Sequence, residues 1–144
     1  MIELKPLRPD EKIAIAVPTR DRPSYLAVLI ACVLSQTYKN WMLLINDQGE
    51  TPVERDHALS DLLQLARSGG HDVTIIRTQK GSERHQSAME AVPEGIELIL
   101  RVDDDMFPEP SFLENVLKPF SFFPGEPLAA VGGLHPEPGK GPLD

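Results

Sequence analysis

Along this chain, short apolar runs alternate with longer segments whose apolar residues recur every three or four positions. Lys12–Val17 (KIAIAV) is brief and rich in β-branched residues, and it reads as a buried strand that Pro18 ends. Leu26, Leu29, Ile30, Val33 and Leu34 then recur at helical spacing, with Pro23 suited to a first helical turn. Trp41–Asp47 (WMLLIND) is a second strand. Thr51, Pro52 and Glu54 read as a capping-box start for a second helix, striped by Leu59, Leu62, Leu63 and Ala66 and stopped at Gly69 and Gly70. Asp72–Thr78 is a third strand, Ser82–Val92 a weaker helix ended by Pro93 and Gly95, and Ile96–Val102 a fourth strand. Phe112, Leu113, Val116, Leu117 and Phe120 mark a fourth helix with Pro119 as its stop, and Leu128–Leu134 has the pattern of a fifth strand.

This order is an alternation of strand and helix. Strands without polar alternation are covered on both faces, which predicts an α/β fold: a mostly parallel sheet with helices on both sides and right-handed crossovers. The chain shows no repeat and no internal linker. One domain is expected over residues 1–135, and the patternless HPEPGKGPLD end predicts an extended or disordered tail over 136–144. In open parallel sheets, ligands bind outside the carboxyl ends of the strands. That rule gathers Thr19, Arg20, Asp21 and Arg22 after the first strand, Asp47 after the second, Lys80, Gly81 and Arg84 after the third, and Asp103–Asp105 after the fourth.

Composition narrows the picture modestly. The chain's 144 residues suffice for one core. A net charge of -8 argues against a general nucleic-acid binder, which would present a basic surface. No apolar run approaches the ~20 residues of a membrane span, and MIELKPLRPDEK has no apolar signal core. Cys32 is alone, so no intrachain disulfide can form, and a reducing cytoplasm is the expected setting. It reads as an inert core residue.

The chemistry concentrates in ILRVDDDMFPEP, Ile99–Pro110, where an apolar strand runs into three consecutive carboxylates. These repel one another unless a cation sits among them. On an extended segment Asp103 and Asp105 share a face ~7 Å apart, so both could address one ion while Asp104 faces elsewhere. All-oxygen ligands select hard cations such as Mg²⁺ or Mn²⁺.

Three stretches, PTRDRP, LSQTYKNW and INDQGE, followed by the triple aspartate with Pro110, Phe112 and Leu113, closely resemble in order and spacing the family 2 glycosyltransferases. The resemblance covers roughly residues 12–134 and implies the GT-A fold. It implies that Pro18, Thr19 and Arg20 line a nucleotide base pocket, that Asp47 hydrogen-bonds the base, usually uracil, and that Arg84 contacts base or phosphates. It places Asp104 by the ribose, with Asp103 and Asp105 as the metal-binding DxD pair. The implied cofactor is Mn²⁺ or Mg²⁺, and the implied partner is a nucleotide diphosphate sugar, in most of the family a UDP-sugar, with an unidentified acceptor. Asn46 departs from the pattern where the family usually has an acid, and Arg20-Asp21 replaces a commoner aromatic-Asn pair. The family's catalytic base and acceptor elements lie beyond its DxD helix. No counterpart follows Leu134, since Glu137 and Asp144 fall in the proline-rich end. The expectation is therefore the nucleotide-sugar half of a transferase, with the PFSFF aromatics (Pro119–Phe123) either covering the sheet or forming a bare surface for self-association.

Other classes fit less well. A nucleotidyltransferase would carry a glycine-rich loop after the first strand, and PTRDRPS has no glycine. A phosphohydrolase with a nucleophilic aspartate would place its DxD after the first strand. An EF-hand needs a glycine that DDDMFPEPSFLE lacks. A non-catalytic nucleotide-binding module stays open. The histidines show no metal-ligand spacing, and Trp41 and Tyr38 read as packing residues.

Overall fold

Four of the apolar runs form the strands β1 (Ile13–Thr19), β2 (Trp41–Asp47), β3 (Val73–Arg77) and β4 (Leu98–Arg101). Between and after them lie the helices α1 (Pro23–Leu34), α2 (His57–Ser68), α3 (Arg84–Glu90) and α4 (Phe112–Phe122). The computed structural model describes residues 10–81 and 83–122, the last two by their backbone alone. The expected fifth strand at Leu128–Leu134, the boundary at 135, the tail at 136–144 and Phe123 of the aromatic patch lie outside the described residues.

The described strands form one parallel sheet in the order β3-β2-β1-β4. β1 and β2 are buried at every position, as strands covered on both faces should be. Side-chain alternation then divides the core. Ile13, Ile15 and Val17 of β1, with Leu43 and Ile45 of β2, pack against Leu26, Leu29 and Ile30 of α1, Leu59 and Leu63 of α2, and Leu113 of α4. Ala14 and Ala16, with Met42 and Leu44, face α3 through Ala88. The small alanines let this short helix sit close to β1. Trp41 is fully buried in the larger cluster and stacks on His71, ring centroids 3.5 Å apart. Its part is packing, as expected.

Three local expectations are corrected. Pro18 does not end β1, which continues to Thr19. The Ala16 carbonyl accepts from Val102 N–H (3.1 Å), so even-numbered residues of β1 direct their backbone toward β4. β4 ends at Arg101, level with Ala16, so the N–H that Pro18 lacks has no strand partner to miss. The second helix is not started by a Thr51 capping box. Val53–Arg55 make a single 3₁₀ turn, and Asp56 is the N-cap, its carboxylate accepting from Leu59 N–H at 3.0 Å. Pro119 lies inside α4 rather than stopping it, although it has no N–H to give the helix and its ring crowds the carbonyl one turn back. Among the described residues, no helix is long and apolar enough to cross a membrane.

Candidate functional site

The carboxyl ends of β1, β2 and β3 lie side by side because the strands are parallel and in register: Thr19 pairs with Asp47, and Asp47 with Arg77. Asp47 is 1% exposed. Its Oδ1 accepts from Gly49 N–H (2.8 Å), and its Oδ2 from Val53 N–H (3.0 Å) and Arg77 Nη1 (2.8 Å). Arg77 also donates to the Gly49 carbonyl at 2.6 Å. One carboxylate therefore folds the whole loop after β2 around itself. A carboxylate has about four acceptor positions, and three are used here, leaving one on Oδ1.

Arg77 was not among the expected site residues. It falls in the last position of a strand, where the apolar pattern absorbs it. Only the strand register reveals that this position faces Asp47. Asp21 was expected on this edge with the polar residues after β1, without a role of its own. It adopts φ 52°, a left-handed conformation that aspartate tolerates better than most residues, and its Oδ1 accepts from Glu50 N–H at 2.8 Å. The loops after β1 and β2 are thereby tied together. Gly49 sits in this junction, where a Cβ would lie 2.9 Å from Asp21 Oδ1 and 3.0 Å from Asp47 Oδ1.

Asn46 has its own reason. It is wholly buried, its Nδ2 donates to the Arg84 carbonyl (2.9 Å), and its Oδ1 accepts from Thr78 Oγ1 (2.8 Å). An aspartate here would oppose the Arg84 carbonyl with a second acceptor. The Arg84 side chain is exposed at the start of α3, and the contact this residue makes is through its backbone. Pro18 is buried within β1; Arg20 is exposed and lies 3.8 Å from Asp21.

The three aspartates divide differently from the strand-alternation expectation. Met106 N–H donates to the Asp103 carbonyl at 3.1 Å, so Asp103–Met106 is a turn rather than an extended segment. Asp104 is 6% exposed. Its Oδ2 accepts from Thr19 Oγ1 (2.8 Å) and its Oδ1 from Arg22 Nη1 (3.3 Å), which latches the end of β4 onto the end of β1. The same Arg22 nitrogen lies 3.4 Å from Asp105 Oδ2. Asp103 turns toward α3, 3.4 Å from His85 Nε2. Burial and then the charge of Arg101 push the His85 imidazole below its ordinary value, against the opposing pull of Asp103. The ring therefore faces Asp103 uncharged at neutral pH.

Gln36 holds this turn in place. It is buried, donating from Nε2 to the Glu109 carbonyl (2.7 Å) and accepting at Oε1 from Leu113 N–H (3.0 Å). Thr37 N–H donates to the Pro110 carbonyl at 2.8 Å. The Ser-Gln-Thr stretch after α1 thus anchors both the exit of the aspartate turn and the first turn of α4. Gln36→Leu should cost about 1–3 kcal/mol, because it strands the buried Leu113 N–H and takes the donor from the part-buried Glu109 carbonyl. Urea unfolding checks the stability, and proteolysis between residues 103 and 112 should accelerate in parallel.

Thr19, Asp21, Arg22, Asp47, Val53 and Arg55 are among the residues that line a cleft of about 210 Å³ at this edge. Of the expected nucleotide contacts, Thr19 and Asp47 line it; Pro18, Arg20, Arg84 and Asp104 do not. Asp103 and Asp105 present half-exposed carboxylates in the turn after β4, with side chains 62% and 51% accessible, Asp105 against the cleft residue Arg22 and Asp103 toward α3. Among the described residues, no group of three or more His, Cys, Asp or Glu side chains could hold a metal ion. Two oxygen ligands nonetheless suit Mg²⁺ or Mn²⁺, ions usually held by one or two carboxylates, with substrate phosphates and water completing the shell.

A parallel α/β sheet with acidic and basic groups at its carboxyl edge defines an open α/β class whose ligand sites lie at that edge, and sequence comparison gives the family. The profile described as Glycosyl transferase family 2 matches residues 14–125. The chain belongs to that family. No curated protein sequence matches it. Among solved structures, TarS from S. aureus is similar at 17% identity over 75% of this chain and 19% of its own, with a TM-score of 0.56. The mannosyltransferase PcManGT from Pyrobaculum calidifontis, solved with GDP-Man and Mn²⁺, is similar at 15% identity over 81% of this chain and 34% of its own, with a TM-score of 0.62. At these identities the likeness establishes the fold. The chain spans well under half the length of either protein.

Proposed function

We propose that this glycosyltransferase domain binds a nucleotide diphosphate sugar, with a divalent cation, at the carboxyl edge of its sheet, and presents the sugar for transfer to an acceptor. The observation that carries the reading is the convergence of Thr19, Asp47 and Arg22 on one cleft, with Asp105 held against Arg22 and Asp103 two residues before it in the same turn. The single acceptor position left on Asp47 Oδ1 suits the lone imide N–H of uracil. Guanine presents an N–H and an adjacent amino group and would want two acceptors. UDP is therefore the preferred nucleotide. Asp103 and Asp105 would hold Mg²⁺ or Mn²⁺, which would offset charge on the departing diphosphate. Arg22 is placed to contribute to the same task as a hydrogen-bonding cation. Asp104, already latched to Thr19 and Arg22, positions both neighbours and brings the turn to the cleft, where the ribose would lie. The complexed mannosyltransferase supports the class of ligand.

Calorimetric titration with UDP, GDP and UTP, with and without Mn²⁺, tests this. UDP should bind in the presence of Mn²⁺ and weaken at least tenfold without it, with GDP weaker than UDP. A requirement for the triphosphate would point instead to nucleotidyl transfer, and no nucleotide binding at all would refute the reading.

A further inference from the structure

Most large apolar side chains are buried, yet Tyr25 and Phe107 stay 52% and 53% exposed at the edge of the aspartate turn. Tyr25 lies in the first turn of α1, and Phe107 follows Asp105 by two residues. Their rings are nearly parallel, 13° apart, with centroids 6.5 Å from each other. The Trp41–His71 pair, face to face, has centroids at 3.5 Å. The Tyr25–Phe107 pair is therefore offset, and both rings stay about half exposed. Val28, one helical turn after Tyr25, extends the floor and is 49% exposed. Arg22 lies over the Tyr25 ring on its inner side, its guanidinium carbon 5.9 Å from the ring centroid, while it contacts Asp104 and Asp105.

We propose that Tyr25 and Phe107 form a stacking platform for a pyranose ring, with Arg22 and Asp105 as its hydrogen-bonding rim. A pyranose has an apolar C–H face and an equatorial belt of hydroxyls. An exposed aromatic floor beside one cationic donor and one anionic acceptor complements both features. A protein partner is less well matched. Two half-exposed rings offer on the order of 200 Å², against roughly 800 Å² per partner in a stable protein interface. The pyranose could be the sugar of a nucleotide donor or a unit of a saccharide acceptor. The donor case rests on the proposed function, and the acceptor case does not. The rim links the platform to that site, since one Arg22 nitrogen touches two of the three aspartates.

Calorimetry separates the cases, using UDP, UDP-glucose, UDP-N-acetylglucosamine and GDP-mannose with Mn²⁺, and free cellotetraose and maltotetraose. Tyr25→Ala and Phe107→Ala should each weaken pyranose-dependent binding about tenfold while changing UDP binding less than twofold, and Tyr25→Trp should restore it. Loss on the nucleotide sugars alone assigns the donor; loss on the free saccharides assigns the acceptor. Saccharide binding that disappears in Tyr25→Ala, in a protein that binds no nucleotide, would sink the proposed function and keep the platform. Nucleotide binding as proposed, with pyranose affinity unchanged in both alanine variants or no pyranose bound by the parent, overturns the platform. So does a parent dimer that Tyr25→Ala converts to monomer without altering saccharide affinity, because the rings would then serve self-association.

Discussion

Asp47→Ala should destabilise the domain by on the order of 3 kcal/mol, more than a typical single substitution. The carboxylate is buried and receives three donors, two of them backbone N–H groups at Gly49 and Val53. Removing it leaves both N–H groups without a protein acceptor, each costing about 1–3 kcal/mol. The Arg77 side chain is 42% exposed, so its charge can turn toward water and adds less. Asp47→Asn separates these contributions. The amide keeps one oxygen for one backbone donor but puts an NH₂ against the other donors, so it should lose roughly half as much. Arg77→Met should cost less than either, because the backbone donors keep their acceptor. Urea titration followed by circular dichroism measures all three. If Asp47→Ala were within about 0.5 kcal/mol of the parent, the carboxylate would not organise the loop. The same variants report on nucleotide binding, since the free Oδ1 position is the one assigned to the base. Asp47→Asn is the more informative there, as it retains more of the fold.

What could be read in the sequence, and what could not, follows from the range of each signal. The strands β1 and β2 were legible because burial on both faces leaves uninterrupted apolar runs, and α1 and α2 because a one-sided helix repeats its apolar residues. Boundaries were less so. Pro18 stops a strand only if its N–H is needed, and that depends on β4 ending level with Ala16. The site divides in the same way. The aspartates announce themselves by charge, and the parallel order puts Thr19 and Asp47 on their edge. The partners that shape these groups are separated from them along the chain. Arg77 reaches back 30 residues to Asp47, Gln36 forward 77 to Leu113, and Arg22 forward 82 to Asp104. No local pattern encodes such pairings. The expectation that Asp103 and Asp105 share a strand face assumed extended backbone, whereas the bond from Met106 to Asp103 bends it into a turn. The residues that look most catalytic therefore split into one structural latch, Asp104, and two open carboxylates.

That split makes the remaining prediction sharp. Asp103→Asn with Asp105→Asn should abolish the effect of Mn²⁺ on UDP binding while leaving the fold intact. Both carboxylates are more than half exposed and make only long contacts, Asp103 to the His85 ring at 3.4 Å and Asp105 to the Arg22 guanidinium at 3.4 Å. Pairs of this kind contribute about 0–1 kcal/mol to stability, so the double variant should unfold close to the parent. Asp104→Asn should behave in the opposite way. Its carboxylate is nearly buried and ties Thr19 to Arg22, so its loss should lower stability first and affinity as a consequence. For the metal, losing even an outer-shell partner typically costs about 10–100-fold in affinity, so losing both of the proposed ligands should cost at least about 100-fold. UDP affinity in Mn²⁺ should then fall to the metal-free value. Asp105→Asn alone also removes one of the two carboxylates held by Arg22. It should weaken the Mn²⁺ effect while slightly strengthening metal-free UDP binding, because the guanidinium becomes more available to phosphate. A double variant that keeps the full Mn²⁺ dependence would place the cation elsewhere and leave Asp103 and Asp105 as solvated turn residues.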